Sequence, residues 1–219
     1  MTGIMETPEI TVTVAPERHA AAARSAVYAS FARLFSYPSE VLAQSIINGM
    51  LYEELRESAA DLPYPSSLAT QHYPFFPASV DEIQACYCAL FDPGVGQGVI
   101  SLGEKDHAQT DRSILWEELM RFYEYFGLEY SADRVKEAPD HLVTELDFLH
   151  YLAFLEAGTE GDGSAFARAR GEFFERHLAN WVPVLAGKLE RAAPDSPYTA
   201  LSDLLRTFIE EEQSAMAYG

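Results

Sequence analysis

The sequence predicts an all-α protein, and three observations carry that reading. Apolar residues recur at three- and four-residue spacing through most of the chain. The breaks between these runs hold Pro, Gly and Ser of the kinds that cap and stop helices. No run of alternating apolar and polar residues is long enough to build a sheet, and no internal repeat is visible.

The elements follow in order. Residues 1–16 read as a flexible N-terminal arm, and residues 17–219 as one all-helical domain. Ile10, Val12 and Val14 alternate with threonines in the arm, which leaves a short edge strand open as a second reading. The first helix carries Val27, Phe31, Leu34 and Phe35 on one face and ends before Pro38. Ser39 caps a second helix over 40–50, and a shorter amphipathic stretch covers 52–60. Residues 61–78, with Pro63, Pro65, Pro74 and Pro77, form an irregular connection. Ser79 and Glu82 make a capping box for a helix through Ile83, Tyr87, Leu90 and Phe91. Asp92-Pro93-Gly94 stops it, and the glycine-rich residues 94–103 read as a link between two sub-bundles. A strong helix over 112–127 closes at Gly127. Pro139 and Asp140 open the next, which runs to Glu156 before Gly158, Gly161 and Gly163. Helices over 164–180, 182–192 and 197–216 complete the bundle.

Charge narrows the functions. Fifteen basic residues stand against 34 acidic ones, a formal net charge of -19. Such a surface repels nucleic-acid phosphates and anionic lipid and attracts basic partners. The acidity is concentrated: no Lys or Arg lies between Arg56 and Lys105, or between Lys136 and Arg168. The second stretch contains Glu137, Asp140, Glu145, Asp147, Glu156, Glu160 and Asp162. Two cysteines, Cys86 and Cys88, are too few for a disulfide scaffold and fit a reducing compartment. The amino-terminal stretch lacks the basic and apolar regions of a secretory signal, so a cytoplasmic location is expected, with no membrane insertion.

The residues with most to say are Glu137-Ala-Pro139-Asp140-His141-Leu-Val-Thr-Glu145. His141 and Glu145, four apart, share a helix face. Leu142, Leu146, Leu149 and Ala153 form the buried stripe, which leaves Asp140 and His141 near an exposed end. By itself a Pro-Asp helix start is common, and a single His is usually inert.

This segment resembles the Glu-x-Pro-Asp-His signature of the TorD/DmsD/NarJ family of molybdoenzyme chaperones. Tyr87-Cys-Ala-Leu90-Phe91 resembles that family's aromatic-x-x-Leu-Phe pattern, and Tyr28, Leu34, Phe35 and Pro38 resemble its first-helix pattern. The three occur in family order over residues 20–155. The run from Asp92 to His107, with Asp111-Arg112 after it, is similar to the nitrate reductase branch. The mixture also suits chaperones of periplasmic enzymes such as dimethylsulfide or ethylbenzene dehydrogenases.

The resemblance implies a TorD-like helical bundle that binds a client and turns over no substrate. It implies a molybdopterin-containing catalytic subunit as partner, held through its body or its twin-arginine leader until its cofactor is inserted. Glu137, Pro139, Asp140, His141 and Glu145, with Tyr87, Leu90 and Phe91, are then the expected client-binding residues. No cofactor or metal of its own is implied, and the oligomeric state is a monomer or a domain-swapped dimer.

Two other readings stand beside it. Glu104-x-x-His107 and Asp147-x-x-His150 offer part of a di-metal carboxylate site in a helical bundle. A generic acidic adaptor would bind many basic peptides with strong salt dependence. Cys86-x-Cys88 lacks zinc-site spacing and reads as a pair of buried helix cysteines.

Overall fold

A computed structural model describes residues 16–72, 79–94, 100–128 and 137–218. Among the described residues the regular structure is nine α-helices, two short 3-10 turns and one isolated β-bridge. The all-α expectation holds. The arm before Pro16, Pro74 and Pro77 of the long connection, and residues 95–99 of the glycine-rich stretch lie outside the described residues.

The centre is a helix pair. α1 (Pro16–Phe35) and α6 (Leu142–Gly158) run antiparallel, because Arg18 meets Thr159 at one end while Ser25 meets His150 further along. Both helices present faces of fully buried side chains, Val27, Tyr28 and Phe31 from α1 and Leu146, Leu149 and Leu152 from α6. Burial of each such side chain contributes about 1.5–3 kcal/mol. α7 (Ser164–Arg176) packs beside α6, and α8 (Leu178–Ala192) beside α9 (Pro197–Tyr218). Trp181, wholly buried, is among the largest side chains in the core.

A buried ionic cluster ties the two ends of the chain together. Glu212 of α9 accepts from Arg24 at 2.6 Å, Arg170 at 3.0 Å and the Tyr64 hydroxyl at 2.6 Å. Arg170 also reaches Glu156 at 3.0 Å. A buried carboxylate is tolerable only when its lone pairs are met in this way. The same contacts show that Glu156, within the acidic stretch between Lys136 and Arg168, is paired with an arginine.

Local chemistry sets the helix ends. Ser39 accepts from Leu42 N and Ser79 from Glu82 N, so both expected caps form. Gly127, with φ of 75°, closes α5 (Arg112–Tyr125). The two elements expected over 40–50 and 52–60 are α2 (Glu40–Ile47) and α3 (Met50–Ala60), so the boundary between them falls earlier than expected. Gly49, at φ of 80°, turns the chain between them. The break expected near Asn180 falls at His177, and α8 runs through Pro183.

Two expectations near the site change. α6 begins at Leu142 rather than Pro139, because the His141 side chain caps it. The 94–103 stretch is not free throughout its length. Ile100 and Leu102 are buried, and Gly103 bridges to His141. A methyl group on Gly103 would sit 3.3 Å from Asp140 Oδ2 and Ser101 Oγ, so the close approach suits glycine.

Among the described residues, no helix is long and apolar enough to cross a membrane.

Candidate binding cleft

A cleft of about 630 Å³ opens between the end of α4 (Val80–Phe91), the 100–106 segment and the start of α6. It draws residues from both sequence motifs. Tyr87 and Phe91 come from one, Glu137 and His141 from the other. Tyr37, Asp92, Lys105 and Asp106 complete the polar and aromatic lining.

One wall is aromatic. The Tyr87 ring lies 5.1 Å from Phe91 and 5.6 Å from both Tyr37 and Tyr198, each edge to face. These contacts fix the ring planes and leave faces that take apolar groups or cations. Tyr37 is half exposed, so its ring extends the apolar wall outward.

The other side is acidic. Burial raises the Tyr87 hydroxyl pKa well above its ordinary value, and the charges of Glu137 and Asp92 raise it further. Both carboxylates line the cleft with Tyr87. Asp92 Oδ1 accepts from Gly94 N at 2.8 Å, and Lys105 is the cation that shares the lining with Asp106. His141 adds no compensating charge. Burial pulls its pKa down, against the opposing pull of Glu137 and Asp140. Its Nδ1 accepts from Val143 N at 3.2 Å, so the neutral ring carries its proton on Nε2.

The remaining expected site residues go elsewhere. Asp140 is fully buried, not at an exposed end. Its Oδ1 accepts from Trp116 Nε1 at 2.7 Å and its Oδ2 from Lys105 N at 3.2 Å, while its backbone carbonyl accepts from Glu104 N at 2.8 Å. It fastens the 100–106 wall to α6. Pro139 is buried too, and its carbonyl accepts from the Tyr123 hydroxyl at 2.7 Å. Leu90 packs against the core and accepts from Ile100 N through its backbone.

Glu145 does not share an exposed face with His141. It is fully buried and accepts from Trp181 Nε1 at 3.0 Å. Burial, with the charge of Glu104 nearby, raises its pKa well above the ordinary value, so the acid form is favoured. Glu104 itself is buried and meets His177 Nδ1 at 2.9 Å. These groups hold the wall from behind.

Sequence reasoning missed Tyr37, Asp92 and Asp106 as cleft residues, and Trp116 and Trp181 as the partners of the buried acids. Tyr37 sits beside Pro38, which was a legible signal. The tryptophan pairings, 24 and 36 residues apart in sequence, left none.

The histidines of the di-metal pattern are engaged otherwise. His107 donates from Nε2 to Ser101 O at 2.7 Å and stacks on Trp181, and His150 Nδ1 lies 2.8 Å from Ser25 Oγ. Among the described residues, no three His, Cys, Asp or Glu side chains cluster closely enough to hold a metal. Cys86 and Cys88 are half-buried free thiols.

A second groove, of about 460 Å³, lies between α5 and α7. Phe122 and Phe126 line it, with Arg121, Arg168 and Arg176 and the 82% exposed Tyr125. Arg121 pairs with Glu117 at 2.5 Å, and Arg176 pairs with Glu172 and Glu118.

Comparison with known proteins adds an independent line. The nitrate reductase delta subunit family matches residues 70–187, a range that spans the α4 motif and the Pro-Asp-His segment. The selenate reductase assembly chaperone protein of Thauera selenatis is 39% identical over 140 residues, which are 62% of this chain and 71% of that protein. The chlorate reductase assembly chaperone protein of Ideonella dechloratans is 35% identical over 140 residues, with the same shares. The dimethyl sulfide dehydrogenase assembly chaperone protein of Rhodovulum sulfidophilum is 30% identical over 177 residues, 74% of this chain and 67% of that one.

Proposed function

The chain belongs to the nitrate reductase delta subunit family, the TorD/NarJ group of molybdoenzyme chaperones, and from that premise we propose how it engages its client. It is a chaperone rather than an enzyme. Its partner is the catalytic subunit of a molybdopterin oxidoreductase. It binds that subunit in the cytoplasm and assists cofactor insertion before assembly or export. The contact runs through the cleft between α4 and the start of α6, which receives a basic, partly apolar segment of the client such as a twin-arginine leader.

The observation that carries the reading is the meeting of two distant motifs in one cleft. Tyr87 and Phe91 are brought beside Glu137 and His141, some 50 residues away in sequence. A guanidinium finds carboxylates and a tyrosine face there. An apolar run following it finds the half-exposed ring of Tyr37. An acidic surface alone would offer no such shelf, so its binding would vanish in moderate salt.

The test is an affinity pull-down of tagged protein from its native extract, with a moderate salt wash and mass spectrometry. One large molybdopterin-binding subunit retained by the wild type, and lost with Glu137→Gln combined with Asp92→Asn, is the expected result. A broad spread of basic proteins, unaffected by those substitutions, would refute the cleft reading.

A further inference from the structure

We propose that His141 is a main-chain reader: its Nε2–H donates to a backbone carbonyl of the bound client segment, while the neighbouring carboxylates take the segment's basic side chain. The inference rests on the cleft being the client site.

Three observations support it. First, the ring is oriented by its own helix. Val143 N donates to His141 Nδ1 at 3.2 Å, which closes the start of α6 and commits the ring proton to Nε2. Second, no described residue bonds to Nε2, although His141 lines the cleft. The donor is held in place with its partner position open. Third, the surroundings select the acceptor. Glu137, Asp92 and Asp106 outnumber Lys105 in the same cleft and disfavour an anionic ligand, a carboxylate or phosphate alike. A neutral donor among negative groups suits a neutral acceptor, and a polypeptide supplies one at each residue.

The arrangement separates two tasks. Carboxylates recognise side-chain charge, which distinguishes clients. His141 recognises the main chain, which every client has, and so fixes how deep the segment lies and in which register. The bridge from Gly103 to His141 fixes the ring's backbone against the opposing wall. A segment bonded to Nε2 is thereby positioned relative to both walls.

The cap and the donor can be separated experimentally. In His141→Asn, the amide oxygen replaces Nδ1 as the cap acceptor, since Asn is a preferred N-cap. The shorter side chain withdraws the donor from the cleft. In His141→Ala both are lost. The probe is a synthetic peptide with two adjacent arginines followed by a run of leucine and alanine, titrated calorimetrically against the full chain. Wild type and Glu137→Gln are measured alongside.

His141→Asn is expected to melt like the wild type and bind the peptide roughly fivefold to tenfold more weakly, the loss of one hydrogen bond. His141→Ala is expected to lose both stability and affinity. Wild-type affinity in His141→Asn, with weakened binding in Glu137→Gln, would overturn the main-chain role and leave the cleft reading standing. No binding by the wild type would overturn the cleft reading, and this inference with it.

Discussion

Two surface depressions with aromatic linings among the described residues differ in what surrounds the rings. The groove between α5 and α7 is bordered by arginines, yet Arg121 is paired to Glu117 and Arg176 to Glu172 and Glu118. Two of its three arginines are thus paired within α5 and α7. The cleft between α4 and α6 gathers Asp92, Asp106 and Glu137 against Lys105, and the charges of Asp92 and Glu137 act on Tyr87 and that of Glu137 on His141. Aromatic surface is therefore a poor guide to the site by itself. What separates the two is the sign of the charge that lines them: mostly acidic in the cleft, mixed arginine and glutamate in the groove.

A second contrast lies within the Pro-Asp-His segment. Adjacent residues divide their work, with Asp140 facing the core and His141 facing the cleft. Substitution should expose the difference. Asp140→Ala leaves the Trp116 indole N–H and the Lys105 amide without their acceptor. It should cost about 3 kcal/mol of stability in denaturant titration, the largest effect expected here. Unchanged stability would mean that the acid is not the fastener of the cleft wall.

Next in size is the charge of the cleft. Glu137→Gln with Asp92→Asn should weaken a twin-arginine peptide about tenfold in titration calorimetry, with a melting temperature close to that of the wild type. Equal affinity would place the client elsewhere.

Glu145 sharpens the comparison from the buried side. Its folded-state pKa is raised, mainly by burial and then by Glu104, so the native state holds a proton that the unfolded chain releases. The stability that this group contributes is present below the ordinary glutamate pKa and is lost as pH rises through the folded value. Glu145→Gln keeps an oxygen for Trp181 and has no proton to lose. The variant's advantage over the wild type in chemical denaturation should therefore widen as pH rises above the ordinary glutamate range. A constant difference would show that Glu145 is ionised in the fold.

The smallest expected effect belongs to the arginine-bordered groove. Tyr125→Ser should leave peptide affinity within about twofold of the wild type, since an exposed side chain outside the cleft contributes little. A large loss would move the client to α5 and α7.

Most of the fold was legible in the sequence because its signals are local. Ser39, Ser79 and Gly127 each act within a few residues, and each does what its type predicts. The site was half legible. The motif residues Tyr87, Phe91, Glu137 and His141 do converge. The burial of Asp140 and Glu145 was hidden, because a carboxylate goes inside only when distant donors meet it. Here those donors are two tryptophans and a backbone amide, none of them marked by spacing. The helix start was misplaced for a related reason. Pro139 and Asp140 look like an opening turn, but contacts with Tyr123, Trp116 and the 100–106 segment hold them outside α6.

The most direct test of the central claim is photo-crosslinking in the native cell, with a photoreactive phenylalanine analogue placed at position 87 or at position 125. The cleft account predicts that position 87 captures one molybdopterin-binding subunit through a peptide containing arginines, and that position 125 captures none of it. Capture of that subunit from position 125 alone, or of many unrelated basic proteins from position 87, would contradict it.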